Sequence, residues 1–293
     1  MSFAILTDTS CNLPQHLVDE FEIAMLPLHY YIDGIEHASY TDGKQADFAK
    51  FYEQMRAGKV VTTSCASQAD AEEAATKLAE AGKDVLCISF SSGISATYSA
   101  CFNAITEVAK RFPERKIYCV DSLAASAGQG LLIAYVAKLR GEGKTIDECR
   151  DWVLEHRLNI AHWFTVDDLM FLKRGGRVSA VSAIFGTALR IKPVLHVAPD
   201  GTLKVVDKLR GRGKSIEALA AHFGNSLSTM PPQDQMVYIS HADCYEEAKT
   251  LADMLVQKYG ISEPLITYID PVVGAHAGPG TIALFYYDSI EHR

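Results

Sequence analysis

The sequence predicts an α/β fold of two domains, and three observations lead to this prediction. In residues 1–160, short apolar strands alternate with helical runs, which is typical of a parallel sheet covered by helices on both faces. Near residues 158–162 the pattern changes, and a hairpin signal mixed with helices follows. A chain of 293 residues is also long enough for two medium domains. We therefore predict a Rossmann-like parallel-sheet domain over residues 1–160 and an α+β domain with a mixed sheet over residues 161–293.

The predicted elements of the first half come from apolar runs, helical periodicity and capping residues. Strands are predicted at 3–6, 23–32, 85–90 and 116–120, the second of them interrupted by Pro27. Helices are predicted at 15–21, 47–55, 69–81, 96–112, 130–140 and 145–156. Because strand and helix alternate, the strands are expected to lie parallel in one sheet.

The second half lacks this strict alternation. Strands are predicted at 161–166, 194–197, 203–206, 235–240, 265–269 and 283–287, the second and third forming a hairpin around Pro199-Asp-Gly201. Helices are predicted at 168–173, 180–189, 215–223 and 245–259. The glycine-rich stretch from Gly274 to Gly280 is predicted to be a loop.

Composition and charge argue against several classes of protein. The net charge of −8 argues against general nucleic-acid binding. The first residues lack the pattern of a signal peptide, and no apolar run is long enough to span a bilayer. Seven cysteines without a C-x-x-C pair indicate free thiols in a reducing cytoplasm and no metal site. We therefore expect a cytoplasmic protein without a bound metal.

Polar side chains follow three of the strands predicted in the first half. The strand ends read Thr7-Asp-Thr-Ser10, Ser91-Ser-Gly93 and Asp121-Ser122. Ligands of open α/β sheets bind at the carboxyl ends of strands, so these residues are expected to converge on one site. Residues 91–95 also precede a helix, where free N–H groups and hydroxyls suit an anion. The alternative is an ordinary serine cap with incidental extra hydroxyls.

Basic residues are concentrated in one segment. Residues 173–214 contain ten Lys or Arg against Asp200 and Asp207, so this segment carries +8 and the rest of the chain −16. The segment is either a solvated face or a docking surface for an acidic partner or an anionic ligand. Arg174 and Arg177 flank a Gly-Gly turn, where an arginine can bind a carboxylate bidentately or remain in water.

The sequence can be compared with two classes of enzyme. Gly93-Ile-Ser95-Ala-Thr97 is close to the G-x-S-x-G motif of serine hydrolases, with Ser95 as nucleophile. The base would be His276 or His241, with Asp270 or Asp243 nearby in sequence. Against this, Ser95 follows the strand by five residues, whereas a nucleophile elbow requires a sharper turn. The chain also lacks a P-loop and an early G-x-G-x-x-G, which argues against a nucleotide enzyme.

Several motifs occur in an order that resembles a known family. They are Leu6-Thr-Asp-Thr-Ser10, Thr62-Thr-Ser64 with Ser67, Ser91-Ser-Gly-Ile-Ser-Ala-Thr-Tyr98, Asp121-Ser122 with Gly128-Gln-Gly130, Leu172-Lys-Arg-Gly-Gly-Arg-Val-Ser179, Ile191-Lys-Pro-Val-Leu195, Arg210-Gly-Arg-Gly-Lys214, His241-Ala-Asp243 and Gly274-Ala-His-Ala-Gly-Pro-Gly280. Together these motifs span nearly the whole chain. In this order they resemble the pattern of the DegV family of bacterial lipid-binding proteins.

The resemblance implies one long-chain fatty acid buried between the two domains, and no catalytic residue or other cofactor. The carboxylate is expected at hydroxyls of the Thr-Ser and Ser-Ser-Gly motifs, with the late histidine and the basic turn close by. These motifs place the expected binding residues at Thr63, Ser64, Ser92, Gly93, Ser95, Arg177 and His276. Some members resemble the lipid-presenting subunit of a fatty acid kinase, which implies a separate ATP-dependent kinase as partner and allows transient membrane contact. The expected surface for this partner or the acyl phosphate includes Arg174, Arg210 and Arg212.

The chain departs from the family pattern at two places. Cys65 and Ala66 stand where Gln and Pro are common, and Ala96 stands where Gly is common. These changes preserve the polar contacts but alter the stiffness of the two loops. Apolar residues expected to line the acyl tunnel, or to serve as ordinary core, are Phe164, Leu169, Phe171, Ile184, Phe185 and Leu189.

Overall fold

The computed structural model of the chain describes residues 3–41, 47–178, 191–226, 228 and 230–290. The helix predicted at 180–189 lies outside the described residues. The same holds for three of the expected tunnel residues, Ile184, Phe185 and Leu189.

A parallel sheet forms the core of the first half, as predicted. It contains β1 (Ala4–Asp8), β2 (Ile23–Leu26), β6 (Val85–Ser89) and β7 (Ile117–Asp121), arranged in the order β2-β1-β6-β7. The helices of this half are α1 (Gln15–Glu20), α2 (Phe48–Arg56), α3 (Gln68–Glu80), α4 (Thr97–Arg111), α5 (Ala127–Gly141) and α6 (Ile146–His156). All strands run the same way, so their carboxyl ends meet at one edge of the sheet.

The stretch predicted as one strand at 23–32 forms two strands in different sheets. After β2 the chain passes Pro27, which fixes φ and donates no backbone hydrogen bond. It continues as β3 (His29–Ile32), which pairs with β4 (Ile35–Ala38) and β5 (Val61–Thr63) in a three-stranded antiparallel sheet. This small sheet places Thr63 opposite Tyr30, at the end of β5.

The second half contains the predicted mixed sheet. Its strands are β8 (Ile160–Thr165), β9 (Ile191–Val197), β10 (Leu203–Arg210), β11 (Tyr238–His241), β12 (Leu265–Tyr268) and β13 (Ile282–Tyr287), in the order β10-β9-β8-β13-β11-β12. Only β11 and β12 pair in parallel, and β9–β10 is the predicted hairpin. The helices are α7 (Met170–Arg174), α8 (Arg212–Gly224), α9 (Tyr245–Tyr259) and α10 (Pro271–Ala277).

Helix α5 packs between the two larger sheets. Ten of its 15 residues are buried, as expected for a helix that is apolar on all sides. Leu131 and Ile133 share one core with Ile88 of the parallel sheet and Phe285 of the mixed sheet. The two sheets are therefore joined through one hydrophobic layer, which confirms the predicted α/β class and fixes one sheet against the other.

The contact between α5 and the mixed sheet requires a glycine. A Cβ atom at Gly128 would lie only 2.1 Å from Nε2 of His162, on β8. His162 is held in place because its Nε2 contacts the N–H of Ala125 at 3.2 Å and its Nδ1 contacts the carbonyl of Ile160 at 2.7 Å. The side chain cannot move away without losing these hydrogen bonds.

We expect Gly128→Ala to lower the free energy of unfolding by about 1–3 kcal/mol, because overpacking forces α5 and β8 apart. The matched control is Gly141→Ala at the end of the same helix, where a Cβ meets nothing within 4 Å. The control should be neutral or slightly stabilising, since alanine is the better helix former. Urea denaturation followed by circular dichroism measures both changes, and equal stability of the two variants would refute this packing argument.

Candidate functional site

A cavity of about 290 Å³ lies between the carboxyl ends of the parallel strands and the mixed sheet. Its volume is close to the lower end of the range of about 300–1,000 Å³ for small-molecule sites. Ile269, Val272, Val273, His276 and Ala277 belong to its wall. Val272, Val273, His276 and Ala277 have the spacing i, i+1, i+4 and i+5 of one face of α10, and Ile269 lies just before that helix, so the cavity extends along α10.

The wall of the cavity is mostly apolar. The other apolar residues that line it are Leu28, Phe90, Ile94, Ala96, Ala125, Phe164, Leu172, Val197, Leu203, Ala283 and Phe285. Of the expected tunnel residues, Phe164 is therefore a wall residue. Leu169 is buried in the core instead, and Phe171 packs against Gly278. An apolar cavity of this shape suits a hydrocarbon chain.

One end of the cavity carries a hydroxyl–imidazole pair. Oγ1 of Thr63 lies 2.8 Å from Nε2 of His276. The prediction that His276 lies on a loop is wrong, because it lies in the last turn of α10. Asp270 caps this helix by accepting from the N–H groups of Val272 and Val273, and Pro271 occupies its first position.

His276 is neutral at physiological pH. Burial, with a further contribution from the nearby positive charge of Arg177, lowers the pKa of His276 to about 4. On its other side, Nδ1 of His276 faces the Gly-Gly turn: a Cβ at Gly175 would lie 2.4 Å from this atom. The glycine at 175 therefore allows the basic turn to approach the imidazole closely.

Arg177 is held at the same end of the cavity. Its Nε donates to the carbonyl of Ile94 at 3.1 Å, and its Nη1 donates to the carbonyl of Gly175 at 2.5 Å. Burial lowers the pKa of Arg177 from its usual value. Within the described part of the chain no carboxylate forms an ion pair with this guanidinium. A half-buried cation therefore lines the cavity, where it can bind an anionic group of a ligand.

Hydroxyls connect the two loops at this end. Oγ of Ser95 lies 2.9 Å from Oγ1 of Thr97 and accepts from the N–H of Thr97 at 3.1 Å. Thr97 in turn accepts from the N–H of Ala66 at 3.2 Å. Ser64, Ser95 and Thr97 all line the cavity. Two of the three departures from the family pattern, Cys65 and Ala96, are exposed residues of the cavity wall, whereas Ala66 is buried.

The backbone N–H groups of residues 92–95 do not form the predicted anion site. Ser92 donates to Asp121, Gly93 to the hydroxyl of Ser91, and Ile94 and Ser95 to the carbonyl of Ser91. Because these four groups have internal partners, they have no free donor for a ligand. Only side chains of this turn are available to bind an anion.

Ser92 and Gly93 are not part of the cavity wall. Ser92 is exposed. Gly93 packs on the β9–β10 turn, where a Cβ would lie 2.5 Å from the carbonyl carbon of Gly201, and Ser91 donates to the carbonyl oxygen of Gly201 at 2.9 Å. The Ser-Ser-Gly turn thus joins the two halves of the chain, and the binding role expected for Ser92 and Gly93 stays a prediction.

The three arginines expected on a partner surface have different environments. Arg174 and Arg210 are exposed. Arg212 instead lies inside the second half, where it donates to Glu247 at 2.8 Å and to the carbonyl of Gly280 at 2.5 Å. Arg212 is therefore a structural bridge between α8 and the residues after α10, and only the other two arginines are available at the surface.

The residues suggested for a serine hydrolase do not form a triad. Nε2 of His276 contacts Thr63, and the hydroxyl of Ser95 contacts Thr97. His241, at the end of β11, accepts from the N–H of Cys244 at 3.3 Å, and Asp270 caps α10. Serine catalysis needs a base in contact with the nucleophile, and here the base contacts a different residue.

Neither a metal cluster nor a membrane-spanning helix is found in the described ranges. No group of three or more His, Cys, Asp or Glu residues in these ranges could hold a metal ion. No helix in them is long and apolar enough to cross a bilayer.

Comparison with known proteins identifies the family. Residues 2–289 match the model of a family described as "Uncharacterised protein, DegV family". The chain belongs to the DegV family. A DegV domain-containing protein of Clostridium perfringens is 38% identical over 284 residues, which cover 97% of each chain. A second such protein, from Lactococcus lactis, is 33% identical over 286 residues, again covering 97% of each chain.

Solved DegV structures share this fold. DegV of Bacillus subtilis, described as a fatty acid binding protein, has a TM-score of 0.82 and 26% identity, covering 99% of this chain and 100% of its own. A Thermotoga maritima protein, whose structure reveals fatty acid binding function, has a TM-score of 0.85 and 27% identity with the same coverage. The chain is thus similar over nearly its full length to DegV proteins that bind fatty acids.

The low pKa of His276 makes stability depend on pH. In the unfolded chain a histidine titrates near 6.5, whereas in the folded chain the pKa of His276 is about 4. Between these values the unfolded state binds more protons. The free energy of unfolding is therefore expected to fall as pH is lowered from 6.5 to 4, by up to about 1.4 kcal/mol per pH unit.

Urea midpoints at pH 7, 6 and 5 measure this slope. His276→Gln, which keeps a polar group near Thr63, should flatten the slope, while His37→Gln at an exposed site on β4 should leave it unchanged. His241 contributes in the same direction in every variant, because burial lowers its pKa to about 4 as well. Identical slopes for His276→Gln and the unmodified chain would refute the assignment of a neutral, buried His276.

Proposed function

We propose that this DegV protein binds one long-chain fatty acid, with the carboxylate at Thr63, Ser95, Arg177 and His276 and the acyl chain in the cavity along α10. Ser64 lines the same end of the cavity and belongs to this set. We further propose that the protein has no chemistry of its own and presents the carboxylate to a separate ATP-dependent kinase, which forms the acyl phosphate.

The observation that carries this proposal is the environment of Arg177. A half-buried guanidinium without an acidic partner in the described ranges is costly, and a ligand carboxylate would offset that cost. The neutral pair of Thr63 and His276 lies at the same end of a mostly apolar cavity. A ligand with one anionic group and a long apolar part matches both features, and the DegV proteins of B. subtilis and T. maritima bind fatty acids.

The hydrogen bond between His276 and Thr63 suggests how the carboxylate is held. With its proton on Nε2, the imidazole donates to Oγ1 of Thr63, and the hydroxyl hydrogen of Thr63 is then free for the ligand. The imidazole must be neutral in this arrangement, because a protonated His276 would be repelled by the nearby positive charge of Arg177. The site thus provides one cation and neutral donors for one carboxylate.

The presentation step rests on the position of the carboxylate near the rim. Cys65 and Ala96 are exposed at this end, so a partner can reach it from outside. Arg174 lies on α7, directly before the turn that carries Arg177, and Arg210 ends β10. Exposed arginines suit an acidic partner surface, and Arg174, three residues before Arg177, also suits the added phosphate.

We expect Arg177→Gln to weaken fatty acid binding roughly 10- to 150-fold, because a hydrogen bond to a charged group contributes about 1.5–3 kcal/mol. The matched control is Arg174→Gln, three residues earlier and exposed, which should change the affinity less than about 3-fold. Isothermal titration of delipidated protein with hexadecanoate gives both values. Equal affinities of the two variants would contradict a carboxylate site at Arg177.

The same pair of variants tests presentation. With a fatty acid kinase subunit and ATP, Arg174→Gln loaded with fatty acid should form acyl phosphate more slowly, and raising the ionic strength should remove the difference from the unmodified protein. Arg177→Gln at a saturating fatty acid concentration should not show this salt dependence. An unchanged rate for Arg174→Gln at low salt would refute the docking role of this surface.

A further inference from the structure

A second polar region lies in the cavity wall, away from the carboxylate end. Ser10 and Ser126 both belong to the wall. Ser126 donates to Oδ1 of Asn12 at 2.6 Å, and Nδ2 of Asn12 donates to Asp270 at 3.0 Å, immediately before α10. His276 follows Asp270 by six residues, a distance of about 9 Å along a helix axis. The second polar region is therefore expected beside the middle of a bound acyl chain.

The hydroxyl hydrogens of both serines are already engaged within the protein. The amide of Asn12 is oriented by Asp270, so the oxygen that faces Ser126 must accept and Ser126 must donate. Ser240, 2.9 Å from Ser126, then donates to it. Ser10 donates to the carboxylate of Asp8, which also accepts from the N–H groups of Ser10 and Phe90. The hydroxyl oxygens of Ser10 and Ser126 can therefore accept a further hydrogen bond from a ligand, but their hydrogens are not available to donate one.

Ser126 is also held in a conformation that favours glycine. Its φ of 54° and ψ of −147° lie in a region that residues with a Cβ rarely adopt, because the backbone is strained there. Glycine would remove this strain but also the hydroxyl. Strain of this kind is found mainly at ligand clamps and active sites, which indicates a functional role for the Ser126 hydroxyl.

We propose that Ser10 and Ser126 form a subsite for a hydroxyl group in the middle of the acyl chain, so that hydroxylated fatty acids are ligands of this protein. This inference rests on the proposed function, since the carboxylate must first be fixed near His276. Both serines offer acceptors only, so the subsite takes an O–H donor and discriminates against a keto oxygen at the same carbon. In an apolar cavity without such partners, burying a hydroxyl would weaken binding roughly 5- to 150-fold.

The test compares octadecanoate with three derivatives of the same length: 10-hydroxyoctadecanoate, 10-oxooctadecanoate and 2-hydroxyoctadecanoate. Isothermal titration of the delipidated full chain gives each affinity. We expect the 10-hydroxy acid to bind at least as tightly as octadecanoate, and the 10-oxo acid at least 5-fold more weakly. In Ser10→Ala and Ser126→Gly, the affinity for the 10-hydroxy acid should fall about 10-fold relative to the affinity for octadecanoate. The 2-hydroxy acid and the exposed-site control Ser99→Ala should show no such change.

Each outcome has a defined meaning. If octadecanoate binds but the 10-hydroxy and 10-oxo acids are weakened equally, the subsite is refuted and the fatty acid site stands. If the two serine variants leave the hydroxy preference unchanged, the assignment to Ser10 and Ser126 is wrong. If none of the four acids binds, the proposed function fails and this inference fails with it. The comparison of ligands uses the unmodified chain, so it remains decisive even if a variant does not fold.

Discussion

The carboxylate of Asp270 is the constraint on which the rest of the site depends. It accepts from Asn12 and Ser39 of the first half, each at 3.0 Å, and from the first N–H groups of α10. Burial raises the pKa of Asp270 to about 6, and these hydrogen bonds offset part of the cost of its charge. Because Asp270 fixes the start of α10 against the first half, it also sets the position of His276 relative to Thr63.

This arrangement explains why the site lies where two sheets meet. Helix α5 buries most of its surface between the parallel and the mixed sheet, so the two sheets cannot separate freely. The polar strand ends of the first sheet and the apolar inner face of the second then face each other across one cavity. Neither half has all the parts needed to hold an amphipathic ligand, because Thr63 and Ser95 come from the first half and Arg177 and His276 from the second.

The sequence predicted much of the fold and part of the site. Alternating strands and helices are local patterns, so the parallel sheet, the hairpin and most helices could be predicted directly from the sequence. The division of residues 23–32 between two sheets could not be predicted from the sequence, because strand pairing depends on distant partners such as β5. For the same reason the packing of Gly93 on the β9–β10 turn and the ion pair of Arg212 with Glu247 could not be predicted, because both contacts join residues that are distant in the sequence.

The central claim is that the cavity holds a fatty acid. Native mass spectrometry of freshly purified protein, and of delipidated protein given hexadecanoate or cis-9-octadecenoate, tests it most directly. We expect one bound fatty acid per chain in the fresh sample, its loss on delipidation and its return with either added acid. A fresh sample without lipid that also takes up neither acid would contradict the account.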